Sequence, residues 1–403
     1  MIKDFSTSTP ERIAVKVNKA AERMIRKQHP WVFESAITKQ SKAGKVGDLA
    51  IIYDQKNNKL LAIGLYDPDS PIRIKLLQFR QKANINTAWF RAKIQEAYHK
   101  RAMLLATETN SYRFIYGEND GLPALIVDVY DKVLVIKIYA RIWLPYLNVI
   151  LPLLLEISTC ETAVFRLSRN VQKVVSNLDD GEVVYGNLVN EDVIFSEHGL
   201  RFSANVVKGH KTGYFLDHRH NRKKIGTLAK DKSVLDIFAY AGGFSVHALA
   251  GGAKRVVSLD ISAQALAMAT KNAALNNLTA KHETMAVDAF EGMQKLTRKR
   301  EKFDIVIVDP PAFAKREKEV EKALYSYARL VKLAIPLIQK NGILLMCSCS
   351  SRVKSDVFFD LITATLQKSN RSFRVLERTL HDVDHPIGFP EGAYLKSIYF
   401  RLL

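Results

Sequence analysis

An α/β protein, with a parallel sheet in its C-terminal half and β-rich segments ahead of it, is predicted by three observations. Short runs at 233–239, 255–259 and 303–308 are too brief for helices and mostly apolar, as strands buried on both faces of a parallel sheet are. Between such runs lie segments with apolar residues at helical spacing, for example Phe244, Val246, His247, Leu249 and Ala250. Each run then ends on small or acidic residues: Ala241-Gly242-Gly243, Asp260 and Asp309.

At 403 residues the chain exceeds one ordinary domain of about 100–200 residues, so two or three domains are expected. No run of about eighteen uncharged apolar residues occurs, and the first residues lack an apolar signal-peptide core. A soluble, unexported protein without a membrane partner is therefore expected. Cys160, Cys347 and Cys349 make no disulfide framework and suit a reducing cytoplasm. No metal is expected, because no cluster has ligand-like spacing. The net charge of +19 calls for a polyanionic partner. Residues 201–232 hold nine Lys/Arg against two Asp/Glu, and residues 1–45 hold ten against four. Basic clusters at two separate places favour nucleic acid over a merely solvated face.

Residues 1–80 form the first module, a small β-barrel. After an irregular start come a strand at 13–17, a basic helix at 19–26, a turn into extended chain at 29–33, and strands at 49–53, 60–66 and 72–77. Arg23 and Arg26, with Lys16, Lys19 and Lys27, give a face for phosphate contacts; Trp31 either stacks on a base or packs in the core. Residues 84–190 form a central α+β module with helices at 87–105 and 144–155. Its strands fall at 113–116, 124–129, 132–139, 162–167 and 183–185. Cys160 reads as a packed thiol.

The third domain, 191–403, opens on a hairpin at 193–204. The stretch GHKTGYFLDHRHNR at 209–222 mixes glycines, aromatics and cations, as a lid over a ligand or a groove for phosphate would. Here Asp217 and Arg219 are assigned to a cofactor, and Lys211, Arg222 and the following Lys223 to RNA. Residues 233–260 are a βαβ unit with a Gly-rich first turn and an acid twenty-odd residues on, the arrangement that holds a nucleoside-bearing cofactor at strand C-termini. The turn runs Asp236-x-Phe238-x-Tyr240-x-Gly242-Gly243, with an acid where a pyrophosphate-binding loop would have its first glycine. A carboxylate suits a cationic ligand. S-adenosylmethionine has an ammonium, a sulfonium and a ribose diol but no phosphate, so Asp236 is placed near the aminoacyl end and Asp260 on the diol.

Beyond Asp260 the alternation continues. Ser262 N-caps a helix through Asn276, 283–287 is a strand and 289–296 a helix. Asp288 either accepts from the adenine amine or caps the helix after it. A helical stretch at 317–337 precedes strand 342–349, helix 356–366 and strands 373–377 and 397–402. Seven strands with helices between most of them make a Rossmann-like methyltransferase sheet.

Cys349 and Asp309 end strands on the same edge. Carbon 5 of cytosine becomes nucleophilic only after a thiolate adds to carbon 6, so a cysteine here suggests cytosine methylation, and Arg352 with the basic loop would favour its thiolate. Cys347 reads as packing. Asp309-Pro310-Pro311 equally suits gripping the exocyclic amine of adenine or guanine for N-methylation, with Phe313 stacking on an unpaired base or capping the core.

The residues HPWVFESAI, GLYDPDSPIRI, YGENDGLPALIVDVY, KTGYFLDHR, DIFAYAGGFSVHAL, DPPAFAK, CSCS and FPEGAYLKS together resemble the RlmI/RlmK-like bacterial large-subunit ribosomal RNA methyltransferases, closest to the type that makes 5-methylcytosine in 23S rRNA. The resemblance implies a PUA domain on rRNA, S-adenosylmethionine near Phe238, Asp260, Asp288 and Asp309, and Cys349 as nucleophile. Tyr240 and Gly242 complete the expected cofactor turn. His210, His218 and Ser351 depart from the family's usual Gln, Gln and Gly. A homodimer is compatible with these readings. The alternatives are a base N-methyltransferase of the same fold and a non-catalytic ribosome-assembly factor.

Overall fold

The computed structural model describes residues 3, 5, 9–175 and 178–403; most of the irregular start expected at the N-terminus lies outside them. The chain divides into two compact units. The first comprises Met1–Phe195, Ala204–Leu216 and Val383–Gly392, and the second Ser196–Ser203, Asp217–Asp382 and Ala393–Leu403.

The first unit opens with β1 (Arg12–Val17), α1 (Lys19–Arg26), β2 (Trp31–Val32), β3 (Ile37–Gln40), β4 (Leu49–Tyr53), β5 (Leu60–Tyr66) and β6 (Ile74–Phe79). They form a six-stranded sheet of order β2-β6-β5-β4-β1-β3. Asn18 starts α1 by accepting from Ala21 N, leaving Arg23 and Arg26 in its last turn, where cations complement the helix dipole. Next come α2 (Thr87–Lys100), α3 (Ala102–Leu105), β7 (Ser111–Tyr116), β8 (Leu125–Tyr130), β9 (Val133–Ile138), α4 (Leu147–Ser158), β10 (Thr162–Leu167), α5 (Arg169–Gln172) and β11 (Val183–Tyr185). Their sheet has the order β11-β10-β9-β8-β7. The stretch Arg141–Ser158 is apolar enough by composition to cross a membrane. Its residues Leu147, Ile150, Leu151 and Leu154 are instead buried in the core that these strands share with Leu49, Ile63, Leu65 and Leu77 of the first sheet.

The single helix expected at 87–105 is two, broken at Arg101, whose side chain is wholly buried. Its guanidinium donates to both oxygens of Asp120, at 3.0 and 2.6 Å, and to the carbonyls of Ala97, Arg113 and Asp384. A buried cation survives only with such complete pairing.

After the hairpin of β12 (Asp192–Glu197) and β13 (Leu200–Asn205), the second unit builds α6 (Arg219–Leu228), β14 (Ser233–Ile237), α7 (Gly243–Ala250), β15 (Arg255–Asp260), α8 (Ala263–Ala274) and β16 (His282–Ala286). It continues with α9 (Ala289–Arg298), β17 (Phe303–Val308), α10 (Val320–Ala334), β18 (Ile338–Ser348), α11 (Ser355–Gln367), β19 (Phe373–Thr379) and β20 (Lys396–Leu402). The seven-stranded sheet has order β16-β15-β14-β17-β18-β20-β19. The first five strands in that order run parallel, and β20 lies antiparallel to both neighbours. Every residue of β14 is buried, the signature of a strand covered on both faces. The strand order reverses direction at β14, and the C-terminal ends of β14, β15, β16, β17 and β18 share one edge, where ligands of such sheets bind.

Helix α6 takes in the last four residues of the expected loop, Arg219 to Arg222. Its buried residues are Arg219, Asn221, Arg222 and Ile225, so its inward face is mostly polar and no apolar stripe announces it. Asp120→Asn should strip Arg101 of its carboxylate and cost about 3–5 kcal/mol, the penalty for half of a buried ion pair. Urea unfolding of the full chain would measure it.

Candidate active site

The turn after β14 is unusual in its backbone. Phe238 (φ 65°) and Tyr240 (φ 48°) occupy the left-handed region together with Gly242 (φ 73°). Non-glycine residues there store about 1–3 kcal/mol each and persist only where the surroundings impose them. The amides of Phe238 and Ala239 both donate to Leu259 O, Tyr240 N donates to Asp260 Oδ2 at 2.9 Å, and Asn272 Nδ2 donates to Ala241 O at 2.8 Å. At Gly242 a Cβ would lie 2.7 Å from that of Ala269. Glycine is needed there to let α8 approach, not to admit a phosphate.

Four expected residues surround this turn. Asp236 is buried; its Oδ2 accepts from Ser245 N and Oγ at 3.1 and 2.7 Å, while the buried Oδ1 has no hydrogen-bond partner. Burial pushes this carboxyl up to about 7, Ser245 opposes, and the negative charges of Asp309 and Asp260 add to the rise. Asp260 holds Tyr240 N through Oδ2 and Ser262 N through Oδ1. Asp288 caps α9 through Oδ1, accepting from Phe290 N and Glu291 N. Asp309 follows β17, its amide donating to Ile237 O at 3.3 Å.

The register that pairs Val308 with Met346 brings the ends of β17 and β18 together. Cys349 is partly exposed and its Sγ lies 3.8 Å from Pro310 O. Cys347 is buried, and burial pushes its thiol well up. Pro310 is buried and Pro311 exposed. Phe313 N donates to Ser350 Oγ, and its ring lies 5.1 Å from that of Tyr327, whose hydroxyl bonds Ser348 Oγ and Ser350 Oγ.

Sequence reasoning gives no role to His218, Tyr327 or Lys396. His218 Nε2 lies 3.3 Å from Asp309 Oδ1. Asn221 Oδ1 accepts from Thr379 and Tyr399, so its amide nitrogen faces His218 Nδ1 at 3.2 Å and leaves the ring proton on Nε2, toward Asp309. Burial disfavours the imidazolium, but Asp309 outweighs it and raises this pKa. His218, Asp309 and Cys347 offer atoms within 4.8 Å of one another, a convergence from distant sequence positions that no local spacing signals. A protonated, packed thiol beside an acid–imidazole contact accounts for it.

One expectation is corrected. Arg222, assigned to RNA, is buried with Nε and NH2 on the two oxygens of Glu197 at 2.7 and 2.6 Å. Arg219, assigned to the cofactor, is also buried, facing Glu197 at 3.7 Å and Asp382 at 3.3 Å. Both arginines face carboxylates of the second unit. Asp217 is buried and accepts from Tyr394 OH at 2.6 Å. Lys223 is exposed, as are Lys211, Arg23 and Arg26 in the first unit. Lys211 lies over the Phe215 ring, and Arg26 is 3.8 Å from Asp54.

The comparisons with known proteins agree with this edge. A family profile described as S-adenosylmethionine-dependent methyltransferase matches residues 166–401, and a PUA-like domain profile matches residues 15–79. A ribosomal RNA large subunit methyltransferase of Deinococcus radiodurans is 40% identical over 98% of both chains. The chain belongs to the ribosomal RNA large subunit methyltransferase family. Large subunit methyltransferase I proteins of Tolumonas auensis and Escherichia coli are each 34% identical over 96% of this chain, and 99% and 98% of theirs. A Streptococcus mutans protein described as a SAM-dependent methyltransferase shares the fold with TM-score 0.81 at 20% identity, covering 96% of this chain and 99% of its own. A methyltransferase solved with SAH superposes with TM-score 0.82 at 21% identity, covering 97% and 100%.

S-adenosylmethionine is thus the cofactor, and the residues fit it. The turn lacks the glycines a pyrophosphate needs, and the orphaned Asp236 Oδ1 is a buried acceptor suited to a cationic ligand.

Glu197 shows how the charged interior depends on pH. Burial alone would raise its pKa, but Arg222 and His247 hold it far below the ordinary 4.5. Its contribution is therefore complete above about 4.5 and is lost as pH falls toward the folded value. Glu197→Gln should destabilise by about 3–5 kcal/mol at pH 7 and flatten the acid limb of the stability profile between about pH 4.5 and 2, as denaturant unfolding at stepped pH would show.

Proposed function

We propose that the protein methylates carbon 5 of a cytosine in 23S ribosomal RNA through a covalent adduct with Cys349. The observation that carries this reading is a partly exposed thiol at the end of β18, 3.8 Å from the carbonyl of Pro310 in the Asp309-Pro310-Pro311 turn. N-methylation of adenine or guanine has no use for that thiol.

Asp236, Phe238, Tyr240, Gly242, Asp260 and Asp288 form the wall for the cofactor, with Asp217 anchoring Tyr394 at its side. Bound there, S-adenosylmethionine supplies an electrophilic methyl group on a sulfonium. Cys349 adds as thiolate to carbon 6 of the cytosine, moving electron density to carbon 5; after methylation a base accepts the carbon 5 proton, the released electron pair re-forms the carbon 5–carbon 6 double bond, and the carbon 6–sulfur bond breaks to return the thiolate. Asp309 and the Pro310 carbonyl hold the polar edge of the unpaired base, and Pro311 and Phe313 bound its face. Asp309 is the second catalytic residue of this reading, with His218 Nε2 3.3 Å from its Oδ1.

The RNA reading rests on the net charge of +19, the PUA-like match and the relatives' names. In it, residues 1–80 are the RNA-binding PUA-like domain, 84–190 a connecting module and 191–403 the catalytic domain. Arg23, Arg26, Lys211 and Lys223 contact phosphates, and the enzyme works in the cytoplasm without a membrane partner. A homodimer is the assembly for light scattering to test.

Methylating large-subunit rRNA with the wild type and with Cys349→Ala, then identifying the nucleoside by mass spectrometry, tests the proposal. The expected product is 5-methylcytidine, with a loss of roughly three orders of magnitude or more in the variant. An N-methylated base, or full activity without the thiol, would overturn it. Replacing Arg23 and Arg26 together should weaken RNA binding across sequences and reduce the log–log salt slope by about 1.4, for two single-strand phosphate contacts, in filter-binding titrations.

A further inference from the structure

Lys396 opens β20 opposite Ser348 of β18 and is 2% exposed. Its Nζ donates to three backbone carbonyls: Ser350 O at 2.5 Å, Val353 O at 2.6 Å and Tyr394 O at 3.0 Å. Two of these acceptors lie in the turn that carries Cys349, one residue beyond it and four beyond it. Three acceptors match the three protons of an ammonium; a neutral amine has two and would turn a lone pair toward the third carbonyl. The cradle therefore selects the charged form, yet it contains no carboxylate to compensate the cost of burying that charge.

A staple for the turn could be made without a charge, by an amide or hydroxyl donor. The charge becomes useful only if something near it turns negative. None of Tyr327, Cys347 and Asp309, close to Cys349, supplies a positive charge. The hydroxyl of Tyr327 on α10 is kept neutral by burial, which pushes it up to about 12, and the Cys347 thiol is held protonated. Asp309 after β17 is an anion and opposes a thiolate. Arg352 is exposed in the turn, where water screens it.

We propose that Lys396 is the positioning residue for Cys349: its buried ammonium fixes the turn that presents the thiol and supplies the positive charge that favours the thiolate. This rests on Cys349 being the nucleophile. Burial lowers the Lys396 ammonium to about 8, and Cys349 acts in the opposite direction; by linkage the same attraction favours the ionised thiol.

The test measures the alkylation rate of Cys349 by iodoacetamide against pH, read on the tryptic peptide, in full-length wild type, Lys396→Met and Lys396→Arg. Activity is not needed for this readout. The wild type should titrate below the ordinary thiol value of about 8.5. Lys396→Met should move the midpoint up by about one pH unit, a tenfold loss of thiolate at fixed pH, and lower kcat with the KM for S-adenosylmethionine unchanged. Lys396→Arg should restore most of the midpoint. A wild-type midpoint at or above about 8.5 overturns the proposal even if Lys396→Met fails to fold. So does a folded Lys396→Met with an unmoved midpoint, which would leave Lys396 a structural staple. Failure of the nucleophile reading is separate: it would appear as Cys349→Ala retaining activity whatever the alkylation profile.

Discussion

The pairing of β17 with β18, in register at Val308 and Met346, is the constraint on which the candidate chemistry depends. Both strands are buried almost throughout their inner lengths, so a slip by one residue would drive every side chain to the wrong face. With the register fixed, Asp309 follows one strand and Cys349 the next on a common edge. The turn of Phe238 to Gly242 reaches the same edge from β14, pinned through Leu259 O and Asp260. Neither loop has to find its place independently; the sheet delivers both.

Charge inside the second unit is organised in two ways. Glu197 is matched by Arg222, Arg219 and His247, a buried cluster of opposite charges. Around the edge the pairing is incomplete: Asp236 keeps one oxygen without a partner, Lys396 meets only carbonyls, and Asp309 shares a contact with an imidazole. Such imperfectly compensated groups are costly in a core and informative at a cleft, because a bound ligand or a reacting thiol can complete them.

The parallel sheet is legible in the sequence because apolar runs such as 303–308, too short for a helix and too apolar for a surface loop, fit only strands covered on both faces. Connection rules then limit how seven such strands can be ordered. Cys349 and Asp309 are legible because each ends such a strand. Helix α6 is not, since its inward face is Arg219, Asn221 and Arg222, which reads as a basic surface until Glu197, earlier in the chain, is seen opposite. Arg222 reads as an RNA contact for the same reason: composition marks a cation but not its partner. Asp288 carries two equal readings in the sequence, and the cap becomes visible only in its hydrogen bonds to Phe290 and Glu291, both made through Oδ1. Lys396 and His218 act through contacts with Ser350 and Asp309, far away along the chain, which no local spacing encodes.

The central claim is that Cys349 bonds covalently to its base during methylation. Cytosine bearing fluorine at carbon 5 has no proton there to release, so elimination of the thiol stalls. Incubating the full-length protein with S-adenosylmethionine and rRNA containing 5-fluorocytosine should give a denaturant-stable protein–RNA adduct that mass spectrometry maps to Cys349. Turnover with no trapped species, or an adduct on another residue, would contradict the account.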